Sequence, residues 1–255
     1  MNIKEFGCEN EKVIMLLHGG GLSWWSCREA AERLAGKYRV VLPILDGHAG
    51  SDEDFSSIED NAAGVIRYID EHLGGSVLLI GGLSLGAQIL VEMLAQRKDI
   101  CSFAIVESAL ALPMKITYHL TGPMMDMSYG LIKRKWFSCL QFRALRLKKE
   151  LYDEYYRDTC KISKGNMKAF LRANARYEPK SSLADTEAIV CVCVGQKEQR
   201  IMRRSAQRLH GMIPGSKMII MPSLHHGEFS INHADEYAQY ICELIENRGE
   251  YESKH

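Results

Sequence analysis

Ser84 sits in Gly82-Leu83-Ser84-Leu85-Gly86, between an apolar run at Ser76–Ile80 and a segment of helical period that begins at Ala87. A serine on a sharp strand-to-helix turn exposes its hydroxyl, and glycines two residues to either side let strand and helix close around it. The start of the helix adds partial positive charge and the amide of Leu85 where an oxyanion would form. An ordinary turn uses the same residue types. A nucleophilic serine therefore also needs a base, a group that orients the base, and a further oxyanion donor.

The base has two neighbouring candidates. Pro222-Ser223-Leu224-His225-His226-Gly227-Glu228-Phe229 follows the last strand-like run, Lys217–Met221, and a histidine there can reach back toward Ser84. Gly227 suits a tight loop that holds the preceding ring toward a cleft, which favours His226 over His225. His18, His48, His119 and His210 have no comparable placement for the base. For the acid, the run Ala188–Val194 leads into Gly195-Gln196-Lys197-Glu198 and then a helix. Glu198 fits, although a glutamate in a helix's first turn also serves the macrodipole. Glu107, just past Ile100–Val106, is the rival, and Asp46 and Asp52 are weaker. Upstream, Val13–Leu17 ends in His18-Gly19-Gly20-Gly21, where missing side chains let backbone amides approach a ligand, or serve only a flexible turn. The turn-rich Leu45–Ser51 ends the next strand, and ligands of open α/β sheets bind outside the carboxyl ends of strands.

These residues need a scaffold, and the chain's periodicity supplies one. Short apolar, β-branched runs at Val13–Leu17, Tyr38–Pro43, Ser76–Ile80, Ile100–Val106, Ala188–Val194 and Lys217–Met221 read as strands buried on both faces. Helical segments at Ser26–Ala35, Ser57–Leu73, Ser84–Gln96, Glu198–His210 and His233–Asn247 alternate with them, which argues an α/β doubly wound, mostly parallel sheet. Leu110–Asp185 breaks the rhythm: it has no buried strand and is too long for a structureless loop, so it reads as a helical insertion. The chain thus divides into a core at 1–109 and 186–255 and an insertion at 110–185. The insertion carries 15 basic and 7 acidic residues against 17 and 25 in the remainder. Lys133, Arg134, Lys135, Arg143, Arg146, Lys148 and Lys149 cluster within it, as solvated helix faces or as a cationic rim drawing anionic substrates or an acidic acyl carrier.

Composition narrows the classes. Lys and Arg together equal Asp and Glu at 32 each over 255 residues, which argues against a nucleic-acid binder. No apolar run approaches the roughly 20 residues of a membrane span, and the first residues lack the apolar core of a signal peptide. The eight cysteines are scattered, with no Cys-x-x-Cys, and read as small core residues rather than disulfides or ligands. The expected compartment is a reducing cytoplasm.

Taken together, the strand–His18-Gly-Gly-Gly21 loop, Asp46-Gly-His-Ala-Gly-Ser51, strand–Gly82-Leu-Ser-Leu-Gly86–helix, the acid after the next-to-last strand and His225-His-Gly-Glu228 after the last resemble the α/β-hydrolase superfamily. The order Ser84, Glu198, His226 matches that family's nucleophile, acid and base. The resemblance further implies that the second oxyanion amide falls on Gly20, beside that of Leu85, and that Leu110–Asp185 is a lid. Two departures stand out: glutamate replaces the commoner aspartate, which keeps Glu107 in play, and the N-terminus leaves little room for the family's first two strands.

The expected chemistry is serine hydrolysis of a small or medium carboxylic ester or thioester, with no metal or organic cofactor. His226 would move the proton, Glu198 would hold the imidazole, and the partner would be a small-molecule acyl substrate. Trp24, Trp25, Met124, Met125, Tyr129 and Phe137 are candidates for an apolar acyl pocket, or simply fasten the insertion to the sheet. A carbon–carbon bond hydrolase or lyase on the same scaffold, and a ligand-binding protein without catalysis, are the alternatives.

Overall fold

In β2 (Val13–Leu17) successive side chains point to opposite faces: Ile14 and Leu16 join one apolar cluster, Met15 and Leu17 another. A strand buried on both sides in this way must lie inside a sheet with helices on each face. The computed structural model, which describes residues 1–247, shows that arrangement. Seven strands, β1 (Ile3–Phe6), β2, β3 (Arg39–Pro43), β4 (Val77–Leu83), β5 (Cys101–Glu107), β6 (Ile189–Gly195) and β7 (Lys217–Met221), form one sheet in the order β1-β3-β2-β4-β5-β6-β7. All neighbouring strands are parallel except β1, which runs antiparallel to β3. The strand order reverses beside β2, so the sheet is doubly wound.

The helices follow in chain order: α1 (Arg28–Leu34), α2 (Ile58–His72), α3 (Leu85–Gln96), α4 (Lys115–Ile132), α5 (Lys135–Leu145), α6 (Tyr152–Thr159), α7 (Lys164–Arg176), α8 (Arg200–Met212), α9 (Glu228–Asn232) and α10 (Ala234–Glu246). α1 and α10 pack on one face of the sheet, and α2, α3 and α8 on the other. Helix α2 starts where Ser57 accepts the Asp60 amide at 2.9 Å, a side-chain cap. Helix α3 is apolar nearly all round and buried from Leu85 to Leu94, as the central helix of the fold must be.

The segment between β5 and β6 is helical, comprising α4 to α7. Its second half is fastened to the sheet by polar bonds. Trp25 donates to Asp158 at 2.9 Å, Arg28 makes a two-pronged pair with Glu154, and Asn166 accepts the Phe55 amide at 3.0 Å. Gln88 of α3 donates to the carbonyls of Leu110 and Asn174.

Three readings of the sequence need correction. Ile3–Phe6 forms β1, an edge strand that the short, charged N-terminus had concealed. Glu198 precedes α8 rather than opening it, and the helix begins at Arg200. β7 is only half buried, because it closes the other edge of the sheet. All eight cysteines are free, with Cys191 and Cys193 in the core of β6.

Candidate active site

Ser84 occupies the junction between β4 and α3 with φ 55° and ψ −110°, a backbone region that side chains rarely adopt. The neighbouring chain enforces this turn. A Cβ on Gly86 would lie 2.4 Å from the carbonyl oxygen of Leu17 and 2.6 Å from that of His18, so only glycine lets α3 press against the end of β2. The Ser84 amide donates to the Glu107 carbonyl at 2.9 Å, which ties the turn to β5. The strain is thus held by the sheet on both sides and leaves the hydroxyl half-buried at its upper edge.

His226 and Glu198 come from the loops after β7 and β6. The Glu198 side chain is buried, and its Oε2 lies 2.8 Å from His226 Nδ1. Its other oxygen accepts two bonds of 2.7 Å, from the Ser108 hydroxyl and the Gly195 amide. Burial by itself would raise this carboxyl. The His226 bond and charge, the Gly195 amide and the Ser108 hydroxyl outweigh that and hold it below the ordinary glutamate value. The ring nitrogen facing a carboxylate is the one that carries hydrogen, so Nδ1 is the donor and Nε2 is left as the acceptor. Gly227 has φ 73°, the left-handed turn that begins α9 immediately after the ring.

Ser84, Glu198, His225 and His226 all line one cavity of about 390 Å³. Leu110, Met114, Ala144, Leu145, Ile201 and Met202 give it apolar walls, and Arg146, Asn174, Lys197 and Gln199 add polar ones. None of Trp24, Trp25, Met124, Met125, Tyr129 and Phe137 is among the lining residues. Trp25 is buried and spent on Asp158, Met125 is buried in α4, and Met124 faces outward. Of the seven clustered cations of the insertion, Arg146 alone lines this cavity, while Lys148 pairs with Glu29.

The glycine loop is built around two buried histidines. His18 donates from Nδ1 to the Gly19 carbonyl and accepts the Leu45 amide at Nε2, 3.1 Å away. His48 accepts the Gly21 amide at Nε2, 3.0 Å away, and its Nδ1 lies 3.1 Å from the Asp46 carbonyl. Both rings must be neutral to accept these bonds. Burial pushes His18 down to about 3, with the neighbouring His48 adding to the shift, and burial pushes His48 down to about 4. The His48 ring stacks on Phe170 of α7 at 4.8 Å. Gly21 and Leu22 commit their amides to His48 and to the Gly19 carbonyl, whereas no bond engages the Gly20 amide among the described residues. Gly20 lies against Leu85: a Cβ there would be 3.5 Å from the Leu85 side chain.

Thus the structure brings Ser84, Glu198 and His226 to one cavity and sets Gly20 beside Leu85. Glu107 does not bond His226 and is buried at the end of β5, with the Ser230 amide 3.4 Å from Oε1. Ser108 and His48 were not singled out by sequence reasoning as supporting groups. The only available signal was their position just past a strand end.

A family model described as the alpha/beta hydrolase family matches residues 14–240. The chain belongs to the alpha/beta hydrolase family. Solved structures of similar fold include a thermophilic esterase from Thermogutta terrifontis, with TM-score 0.78, 18% identity and coverage of 96% of this chain and 92% of that one. The enol-lactonase from Burkholderia xenovorans LB400 superposes with TM-score 0.80 at 13% identity, covering 96% of each chain. An esterase from Exiguobacterium antarcticum gives TM-score 0.80 at 15% identity, over 96% of this chain and 95% of that one. No curated protein matches the chain by sequence. At such identities the likeness is one of fold, and the alpha/beta hydrolase core is what all four share. In this family member no three His, Cys, Asp or Glu side chains converge as a metal set among the described residues. No described helix is long and apolar enough to cross a membrane.

Proposed function

We propose that this alpha/beta hydrolase is a serine hydrolase in which Ser84 is the nucleophile, His226 the general base and Glu198 the acid. The observation that carries the reading is the bond of 2.8 Å between Glu198 Oε2 and His226 Nδ1, in a cavity that Ser84 also lines. His226 Nε2 takes the Ser84 proton as Oγ attacks a carbonyl carbon, and returns it to the leaving group. Glu198 fixes the tautomer and stabilises the imidazolium. The amides of Gly20 and Leu85 receive the oxyanion, each such donor contributing about 3 kcal/mol. Water then releases the acyl group by the same steps in reverse roles.

The substrate class is a small or medium carboxylic ester or thioester. A cavity of about 390 Å³ accommodates an acyl chain of a few carbons against Leu110, Met114, Leu145 and Met202. Arg146 and Lys197 at the same walls favour a substrate that carries a negative group away from the scissile bond. The helical segment α4–α7 acts as the lid that closes this space.

The test is turnover of p-nitrophenyl esters of graded chain length by the wild type and by Ser84→Ala. The variant should lose at least about a thousandfold in kcat with unfolding unchanged. Retention of a tenth of the wild-type turnover contradicts the assignment of Ser84.

A further inference from the structure

Helix α4 is apolar on two faces, and the fold covers one of them. Thr121, Met125 and Ile132 are buried. Ile116, Leu120, Met124, Met127 and Leu131 are all exposed, Met127 to 85% and Ile116 to 77%. At 100° per residue those five positions fall within an arc of about 80°, along a helix roughly 27 Å long, and no polar residue shares that arc. Helix α5 continues the pattern with Trp136 and Leu140, exposed to 64% and 61%. Single exposed apolar residues are ordinary, but a continuous stripe of this length marks a surface that meets something.

The charges nearby identify its chemistry. Lys115 begins α4, Lys133, Arg134 and Lys135 fill the junction with α5, and Arg143, Arg146 and Lys149 lie at or just beyond its end. Among the described residues, none of these seven takes part in a salt bridge, although Lys133 rests over the Tyr129 ring. Most cations on the other half of the insertion are engaged: Arg157 by Asp158, Lys164 and Lys168 by Asp126, Lys180 by Glu92, and Arg172 over the Tyr118 ring.

We propose that the α4–α5 face docks on an anionic lipid surface. The apolar stripe and Trp136 enter the boundary between headgroups and acyl chains, and the free lysines and arginines meet the phosphates. An amphipathic helix with Leu, Met and Trp on one face and Lys and Arg around it lies in that plane rather than spanning the bilayer. Anionic headgroups attract such a cluster over a Debye length. A second copy of the chain is a poorer occupant, because pairing the face with itself sets like charges together. A protein groove is poorer too, because the stripe offers no polar side chain by which one would fix register. Ala144, Leu145 and Arg146, at the end of α5, line the Ser84 cavity, so α5 runs from the docked face to the cavity rim.

The experiment is vesicle flotation of the full chain with phosphatidylcholine alone and with phosphatidylcholine containing phosphatidylglycerol. The wild type should float with the anionic vesicles about tenfold more than with the neutral ones, and less as salt rises. Met124→Glu/Met127→Glu and Lys133→Glu/Arg134→Glu should each lose about tenfold or more of that binding, with thermal unfolding unchanged. Equal or absent binding to the two vesicle types overturns the proposal, and that comparison needs no variant. A dimer in sedimentation that Met124→Glu/Met127→Glu dissolves, without vesicle binding, assigns the face to a second copy and overturns it also. So does binding to an acidic carrier protein but to neither vesicle. None of these readouts involves turnover, so they stand apart from the reading of Ser84.

Discussion

Glu107 and Glu198 end or follow neighbouring strands, β5 and β6, and both side chains are buried, yet their carboxyls are shifted in opposite directions. Glu198 has a partner for each oxygen: His226 for one, Ser108 and the Gly195 amide for the other. Glu107 has the Ser230 amide at 3.4 Å from one oxygen and no partner for Oε2. Burial accordingly raises the Glu107 carboxyl to about 7, with Ser230 and His226 opposing, while Glu198 is held low. Depth and strand position are shared between the two. What separates a carboxylate able to serve an imidazole from one pushed toward its protonated form is the set of donors around it.

The comparison is broken most directly at Glu198. Glu198→Gln offers no charge to the imidazolium and should lower kcat by about 10³ to 10⁴. Ester turnover measured across pH checks this, and a Glu198→Gln enzyme within tenfold of wild type reverses the roles of the two carboxylates.

Ser108 separates the two because its hydroxyl bonds the Glu198 carboxylate and not that of Glu107. Ser108→Ala removes one of three donors and should reduce turnover about tenfold, as a hydrogen bond to a charged group is worth about 1.5–3 kcal/mol and the remaining two persist. The acid limb of the pH–rate profile should move upward with it. An unchanged limb with unchanged turnover makes Ser108 a packing residue only.

Glu107→Gln should leave turnover within about threefold and act instead on stability. An unfolded glutamate ionises above its ordinary 4.5, whereas the folded one keeps its proton until about 7. Native stability from this group is therefore full below 4.5, is lost as pH rises from 4.5 to 7, and falls no further above that. The loss is roughly 3 kcal/mol. Urea unfolding at pH 4.5 and pH 8 should show a smaller pH dependence in Glu107→Gln than in wild type. Equal slopes in the two proteins exclude the raised carboxyl.

Much of this site was legible before the fold was known. Ser84, Glu198 and His226 each follow a continuous apolar run, and parallel strands place all such positions at the carboxyl ends of the strands, on one side of the sheet. Position alone also admitted Glu107, since donors arriving from Ser108 and Gly195 are a tertiary matter that spacing along the chain does not encode. β1 escaped notice because Ile3-Lys4-Glu5-Phe6 is short, charged and at an edge, where the strand pairs on one side only. The cavity lining stayed open between two readings for a related reason. Trp25 could meet a substrate or fasten the insertion, and its indole N–H goes to Asp158, 133 positions later, which fastens it.

The roles of Ser84, Glu198 and Glu107 are decided by mass-spectrometric mapping of a fluorophosphonate adduct, with labelling rates for wild type, Glu107→Gln and Glu198→Gln. A single adduct on Ser84 is expected, formed at similar rates in wild type and Glu107→Gln and at least about a hundredfold more slowly in Glu198→Gln. An adduct on another residue, or slowing in Glu107→Gln with Glu198→Gln left fast, contradicts these roles.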